Sequence, residues 1–299
     1  MTLDEIKTIG VVGAGQMGRG ISQVCATAGF EVLLVDVSEQ SVTEAISKVR
    51  DGLERAVERG SLTDRQAGQV LALIHPLVQL DHLRDAQLVI EAIPEDLPLK
   101  RALFAELNRI CVSQAVLASN TSSISITKLG AASGRPDRVV GLHFMNPVPV
   151  MRLVEIVRGL ETSERTVRLV LDLATRLGKT PVVAKDVPGF IVNRVLIPMI
   201  NEAIFALEEG VASVQDIDLA MTTGANHPVG PLALADRIGL DTMLAICEVL
   251  YQDLGDPKFR PCSMLRQYVQ AGWLGRKSGR GFYVYEGRNE RQEAINSRS

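Results

Sequence analysis

The chain has 299 residues, 46% hydrophobic and 22% charged, with 32 Lys and Arg against 35 Asp and Glu and a formal net charge of −3. That composition can bury large cores, and its slight acidity excludes a broad nucleic-acid surface, which needs excess cations to neutralise phosphates. The four cysteines, Cys25, Cys111, Cys247 and Cys262, show no C-x-x-C spacing. They read as reduced thiols of a cytoplasmic protein and not as a disulfide or zinc framework, so no metal is expected.

Residues 1–7 carry Asp4 and Glu5 and no apolar segment, so they read as a lead-in to a strand and not as a signal peptide. Apolar runs at residues 8–12, 32–35, 88–93, 115–119, 139–143 and 153–157 predict buried strands, with a last one at 180–183. Helical patterns between them imply crossovers and a mainly parallel α/β sheet. One such helix runs from a Ser38 cap to Gly60, with Val42, Ala45, Ile46, Val49, Leu53, Ala56 and Val57 on one face. Lys185-Asp186-Val187-Pro188-Gly189 breaks the alternation. Helices are then predicted at 190–209, 214–222, 231–254 and 262–271, before a polar, frayed tail after Tyr285. The stretch 190–207 is apolar but holds Asn193, Arg194, Asn201 and Glu202, which fits a buried helix and not a membrane span. The change to all-helical patterning marks a domain boundary near 184–190.

Gly13-Ala14-Gly15-Gln16-Met17-Gly18 follows the first strand and opens a helix. Glycine lets a backbone turn tightly and approach a pyrophosphate, whose charge then meets the helix N-terminal amides. Asp36 ends the second strand about 20 residues later, where a carboxylate binds ribose hydroxyls. Residues 1–184 therefore read as a doubly wound, Rossmann-type dinucleotide-binding domain. Asp36 repels a 2′-phosphate, and Val37 supplies no arginine to offset it, so NAD is favoured with NADP as the alternative.

Ligands in such sheets lie beyond the carboxyl ends of the strands. Ser119-Asn120-Thr121-Ser122-Ser123, His143 and the pair Glu91 and Glu95 fall there. Removing a hydroxyl proton near neutral pH suits histidine. Of the four histidines, His75 is expected at a helix end before Pro76, His82 in a polar connector and His227 in a Pro/Gly loop. Position alone leaves His143 equally open to a structural role. Glu155 tips the balance, because a carboxylate inside the apolar run 153–157 needs a partner, and a histidine on the neighbouring strand supplies one. Asn193 opens the helical region, either as a substrate hydrogen-bonder or as a helix-surface residue.

The chain resembles the 3-hydroxyacyl-CoA dehydrogenases, most closely the short bacterial 3-hydroxybutyryl-CoA dehydrogenases. The matching stretches are residues 12–18, Glu91-Ala92-Ile93, residues 118–123, His143-Phe144-Met145-Asn146-Pro147-Val148-Pro149-Val150-Met151, Pro188-Gly189-Phe190-Ile191-Val192-Asn193-Arg194, Gly230-Pro231-Leu232 and residues 275–283. The resemblance implies His143 as catalytic base, Glu155 as its orienting acid, and Ser122 and Asn193 beside the reacting oxygen. It places Glu95, Lys100, Ser122 and Asn146 near the nicotinamide and its ribose, Lys277 as a basic cofactor contact, and Arg59 at the CoA phosphates. Gly52 stands where the family often has a serine, and Met145 where it has a phenylalanine. The implied substrate is a short-chain acyl-CoA, and the implied assembly is a homodimer built through a helical substrate domain at 190–285. Rival readings are a 3-hydroxyadipyl-CoA dehydrogenase, a dehydrogenase of free hydroxy or sugar acids, and a non-catalytic NAD-binding protein.

Overall fold

The apolar runs become strands because both faces of the sheet are covered. The computed structural model describes residues 1–285 and 292–294. In chain order the first part contains β1 (Thr8–Val12), α1 (Gln16–Thr27), β2 (Glu31–Val35), α2 (Glu39–Glu58), α3 (Asp64–Ala72), β3 (Ile74–Leu77), β4 (Leu88–Glu91), α4 (Leu97–Ile110), β5 (Val116–Ser119), α5 (Ile126–Ser133), β6 (Val139–Phe144), β7 (Leu153–Arg158), α6 (Glu164–Arg176) and β8 (Thr180–Lys185). The eight strands form one sheet in the order β3-β2-β1-β4-β5-β6-β7-β8. Alternate residues feed two cores. Ile9, Val11, Leu34, Ile90 and Leu142 face one side, while Val12, Val89, Leu117 and Val139 face the other with Phe104 and Leu107 of α4.

Two topological facts position the site. The strand order reverses at β1 and β4, which opens a crevice at their carboxyl ends. All neighbouring strands are parallel except β6 and β7. That one reversal brings the beginnings of β7 and β8 to the rim where β1, β4, β5 and β6 end.

Several elements differ from expectation. His75 sits in β3 and not at a helix end; β3 is an edge strand, where Pro76 is tolerated. Helix α3 precedes it, opened by a capping box between Thr63 and Gln66.

Contacts divide the chain into two compact units, Met1–Phe190 and the remainder from Ile191. The second contains α7 (Val192–Glu208), α8 (Val214–Gly224), α9 (Pro231–Ile238), α10 (Leu240–Leu254), α11 (Ser263–Gln270) and β9 (Tyr283–Tyr285). Its own core includes Ile200, Ile204, Leu232, Met243 and Phe282. The helix expected over 231–254 is two helices, because Gly239 adopts φ +98° between them. Residues 292–294 pair antiparallel with β9 as β10 (Gln292–Ala294) instead of fraying, and the rest of the tail expected to fray lies outside the described residues.

Candidate active site

The three motif glycines answer to different constraints. Gly13 turns at φ +106°, and a Cβ there would lie 2.5 Å from the Ala92 carbonyl oxygen. A Cβ on Gly18 would lie 1.7 Å from the Gly13 oxygen. A Cβ on Gly15 would meet nothing within 4 Å. The protein's own packing therefore demands the outer two glycines. The middle one borders open space at the start of α1, where a pyrophosphate could approach the backbone and the helix amides. Ala14 and the exposed Gln16 flank it, and Met17 packs against the core.

Asp36 follows β2 and accepts from the backbone N–H groups of Ala14 (2.8 Å) and Ser38 (3.1 Å). These bonds fix the carboxylate beside the glycine turn. A cavity of about 850 Å³ lies there, bordered by Gly13, Gly15, Asp36, Val37, Ile93 and Leu99. Its size and mixed polar and apolar lining suit a nucleotide, so the residues present fit a dinucleotide.

Next to this crevice, β4 ends in a buried carboxylate. Glu91 accepts from Lys100 Nζ (2.5 Å), Ser119 Oγ (2.6 Å) and the Ile93 N–H (2.8 Å). Burial pushes its carboxyl above the ordinary value, against the pull of Lys100 and Ser119. Lys100 also reaches Glu95 at 3.1 Å. Glu95 in turn accepts from Thr121 Oγ1 (2.5 Å) and from the N–H groups of Ser122 (2.9 Å) and Ser123 (3.1 Å). Burial alone would raise Glu95, but Lys100 and these donors outweigh it and hold its carboxyl below the usual range. Lys100, which the resemblance puts near the cofactor, is only 1% exposed. It stands beneath Glu95 as a support, with Glu95 and Ser122 nearer the surface.

His143 and Glu155 are register partners across the antiparallel β6–β7 pair. Their side chains meet at 2.7 Å, Nδ1 to Oε2, and Glu155 is fully buried. A carboxylate at that distance assigns the proton to Nδ1 and leaves Nε2 as a lone-pair acceptor. Nε2 makes no hydrogen bond among the described residues. The edge of Phe190 flanks the imidazole, with ring centroids 5.7 Å apart. Phe190 holds φ +49°, an unusual conformation for a bulky residue. Asn120 Oδ1 accepts from the Phe144 N–H (2.9 Å), which ties the β5 loop to the end of β6. Asn146 follows, its Oδ1 accepting from Gln16 Nε2 (2.9 Å) of the glycine turn.

The first unit thus gathers residues 13–18, Asp36, Glu95, Lys100, Ser122, His143, Asn146 and Glu155 along one rim. Arg59 is exposed at the carboxyl end of α2. Asn193, second residue of α7, and Lys277, paired with Asp241 at 2.5 Å, belong to the second unit. Sequence reasoning missed the hub role of Glu91, although an acid ending an apolar strand is a signal that a partner must exist. It also missed Phe190, which meets the imidazole from a position remote in sequence.

Known proteins resemble the chain over almost its whole length. Residues 8–187 match the model of the 3-hydroxyacyl-CoA dehydrogenase NAD binding domain, and residues 189–285 that of the 3-hydroxyacyl-CoA dehydrogenase C-terminal domain. A probable 3-hydroxybutyryl-CoA dehydrogenase of Bacillus subtilis is 54% identical, covering 94% of this chain and 98% of its own. A 3-hydroxyadipyl-CoA dehydrogenase of Escherichia coli is 44% identical over 97% of this chain and 61% of its own. The crystal structure of (S)-3-hydroxybutyryl-CoA dehydrogenase from Ralstonia eutropha superposes with a TM-score of 0.92 at 50% identity, covering 95% of this chain and all of that one. The chain belongs to the 3-hydroxyacyl-CoA dehydrogenase family, with an N-terminal NAD-binding Rossmann domain and a C-terminal helical domain.

Proposed function

We propose that this protein interconverts a short-chain (S)-3-hydroxyacyl-CoA, 3-hydroxybutyryl-CoA first among candidates, and the 3-oxoacyl-CoA. The observation that carries the reading is the imidazole of His143, fixed by Glu155 at the carboxyl rim of a sheet whose glycine turn fits a dinucleotide. NAD, when bound, supplies the hydride acceptor, and Asp36 favours it over NADP. His143 Nε2 takes the proton of the 3-hydroxyl as the C3 hydride departs. Glu155 holds the Nδ1 proton and stabilises the imidazolium that forms. Ser122 and Asn193 orient the reacting oxygen. Glu95, supported from below by Lys100 and Glu91, fixes the Ser122 backbone, while Asn146 and the glycine turn position the cofactor. Arg59 meets the CoA phosphates, and Lys277 assists cofactor binding.

The same reading includes a cytoplasmic location, which suits four buried free thiols, a role in fatty acid metabolism, and a homodimer joined through the helical unit. No helix among the described residues is long and apolar enough to cross a membrane. The test is absorbance at 340 nm with NADH and acetoacetyl-CoA. Rapid oxidation on the thioester supports the proposal; equal rates on the free acid, or none on either, reject it. A preference for a thioester bearing a terminal carboxylate would move the assignment to 3-hydroxyadipyl-CoA. Sedimentation velocity tests the dimer.

A further inference from the structure

The turn that follows β6 is held by a lysine from another part of the chain. Gly178 ends α6 at φ +71°, and Lys179 leads directly into β8. Because β7 runs opposite to β6 and β8 runs with β7, this position arrives at the rim where β6 ends. The lysine is only 9% exposed. Its Nζ donates to the carbonyl oxygens of Val148 (2.5 Å) and Met151 (2.8 Å). Between them the backbone is a tight turn, with the N–H groups of Val150 and Met151 both donating to the Pro147 oxygen at 3.0 and 2.9 Å.

No ion pair joins this ammonium to a carboxylate among the described residues. A buried cation satisfied by carbonyls is a costly anchor, and burial pulls its pKa down. A neutral donor would close one of the two bonds at lower cost. The turn it grips is not a remote loop. Asn146, at its start, receives the Gln16 hydrogen bond from the glycine turn. Val148 packs so closely on α1 that a Cβ on Gly20 would lie 2.9 Å from the Val148 Cβ. The ammonium therefore secures the segment that joins the end of the base-bearing strand to the dinucleotide turn.

We propose that Lys179 is a positioning residue for the cofactor, its ammonium holding the 146–151 turn so that Asn146 stays in register with Gln16. The inference rests on the NAD-binding reading of the glycine turn. The experiment therefore measures cofactor binding without turnover: NADH fluorescence is titrated with the wild-type protein, Lys179→Met and Lys179→Arg. Wild-type protein that fails to bind NADH would sink the binding reading itself. With binding present, Lys179→Met is expected to weaken NADH about tenfold, the loss typical of one charged hydrogen-bonding partner. Lys179→Arg, which keeps the charge and its donors, should recover most of that loss. Hydrogen exchange at the Val150 and Met151 amides should quicken in the Met variant. Lys179→Gln, neutral and still able to donate, replaces Met should the latter fail to fold, with an intermediate loss expected. Unchanged NADH affinity in a folded Met or Gln variant overturns the proposal, even if the melting temperature falls, because a purely structural clamp would move stability alone.

Discussion

Each unit buries carboxylates, and their surroundings differ in one decisive respect. In the second unit, Asp236 accepts from the N–H groups of Phe282 and Tyr283, both at 3.0 Å, and from the Tyr285 hydroxyl at 2.9 Å. Asp218 accepts from the N–H groups of Leu232 (2.8 Å) and Ala233 (3.0 Å) and from the Tyr283 hydroxyl (2.8 Å). These bonds to the two carboxylates all come from backbone N–H groups or tyrosine hydroxyls of the same unit, so both acids are satisfied where they stand. In the first unit, Glu155 holds His143 through Nδ1, and the outer nitrogen of the ring has no partner among the described residues. Burial of an acid marks an unmet demand for donors; it becomes chemistry only where the chain of hydrogen bonds ends on an open atom.

The largest expected difference between the two networks comes from His143→Gln. It should lower kcat by about 10⁴-fold, the upper end for a general base, while NADH binding by fluorescence titration survives. Turnover within a few-fold of wild type would place the base elsewhere. Glu155→Gln comes next, with about a 10²-fold loss in kcat. Glutamine no longer fixes the Nδ1 proton as the carboxylate does, so the loss should fall on kcat with KM held within a few-fold. A kcat within a few-fold of wild type would separate the two residues functionally.

Asp236→Ala tests the satisfied acids. It strands two N–H groups and a hydroxyl, and calorimetry or denaturant unfolding should show a loss of about 2 kcal/mol. Kinetic constants of the folded fraction should hold, and a selective fall in kcat would erase the difference between the two units.

The smallest effect is a divergence in acid. Glu95 sits below its ordinary value of 4.5, so its stabilising hold is present above that pH and fades as pH falls through the lower folded value. Burial raises Asp236 above 3.8, against its backbone donors, so its ionised form works against the fold and protonation relieves that penalty. Hydrogen exchange compared below pH 4.5 should therefore quicken at the Ser122 and Ser123 amides before those of Phe282 and Tyr283. The reverse order would contradict both assignments.

The satisfied acids also explain why similarity alone overstates the number of working motifs. A Cβ on Gly281 would lie 1.9 Å from Asp236 Oδ1, and one on Gly230 would lie 2.2 Å from Asp218 Cγ. Both glycines fall in stretches that carry the family resemblance, and both make room for a structural carboxylate. Gly15 in the dinucleotide turn is unlike them, since nothing in the protein crowds it.

Strands were legible where burial on both faces makes a strand a continuous apolar run, as in residues 8–12 and 139–143. Edge strand β3 was not, because Ile74-His75-Pro76-Leu77 is half exposed and lacks that signature. Helix α3 offered a readable start in Thr63 and Gln66, but its apolar stripe is thin. The break at Gly239 was hidden because the apolar pattern continues across it.

The sequence by itself determined the glycine turn, the acid after β2, and the presence of a histidine and an out-of-place glutamate on two apolar runs. These are local patterns, and the constraints behind them act over a few residues. Tertiary structure alone decided the antiparallel register that sets the geometry of the His143–Glu155 pair, that Glu91 and Lys100 lie beneath Glu95, and that Lys179 reaches back to residues 148 and 151. Such pairings depend on strand order and on the one antiparallel reversal at β7, and long-range packing sets these with no trace in residue spacing.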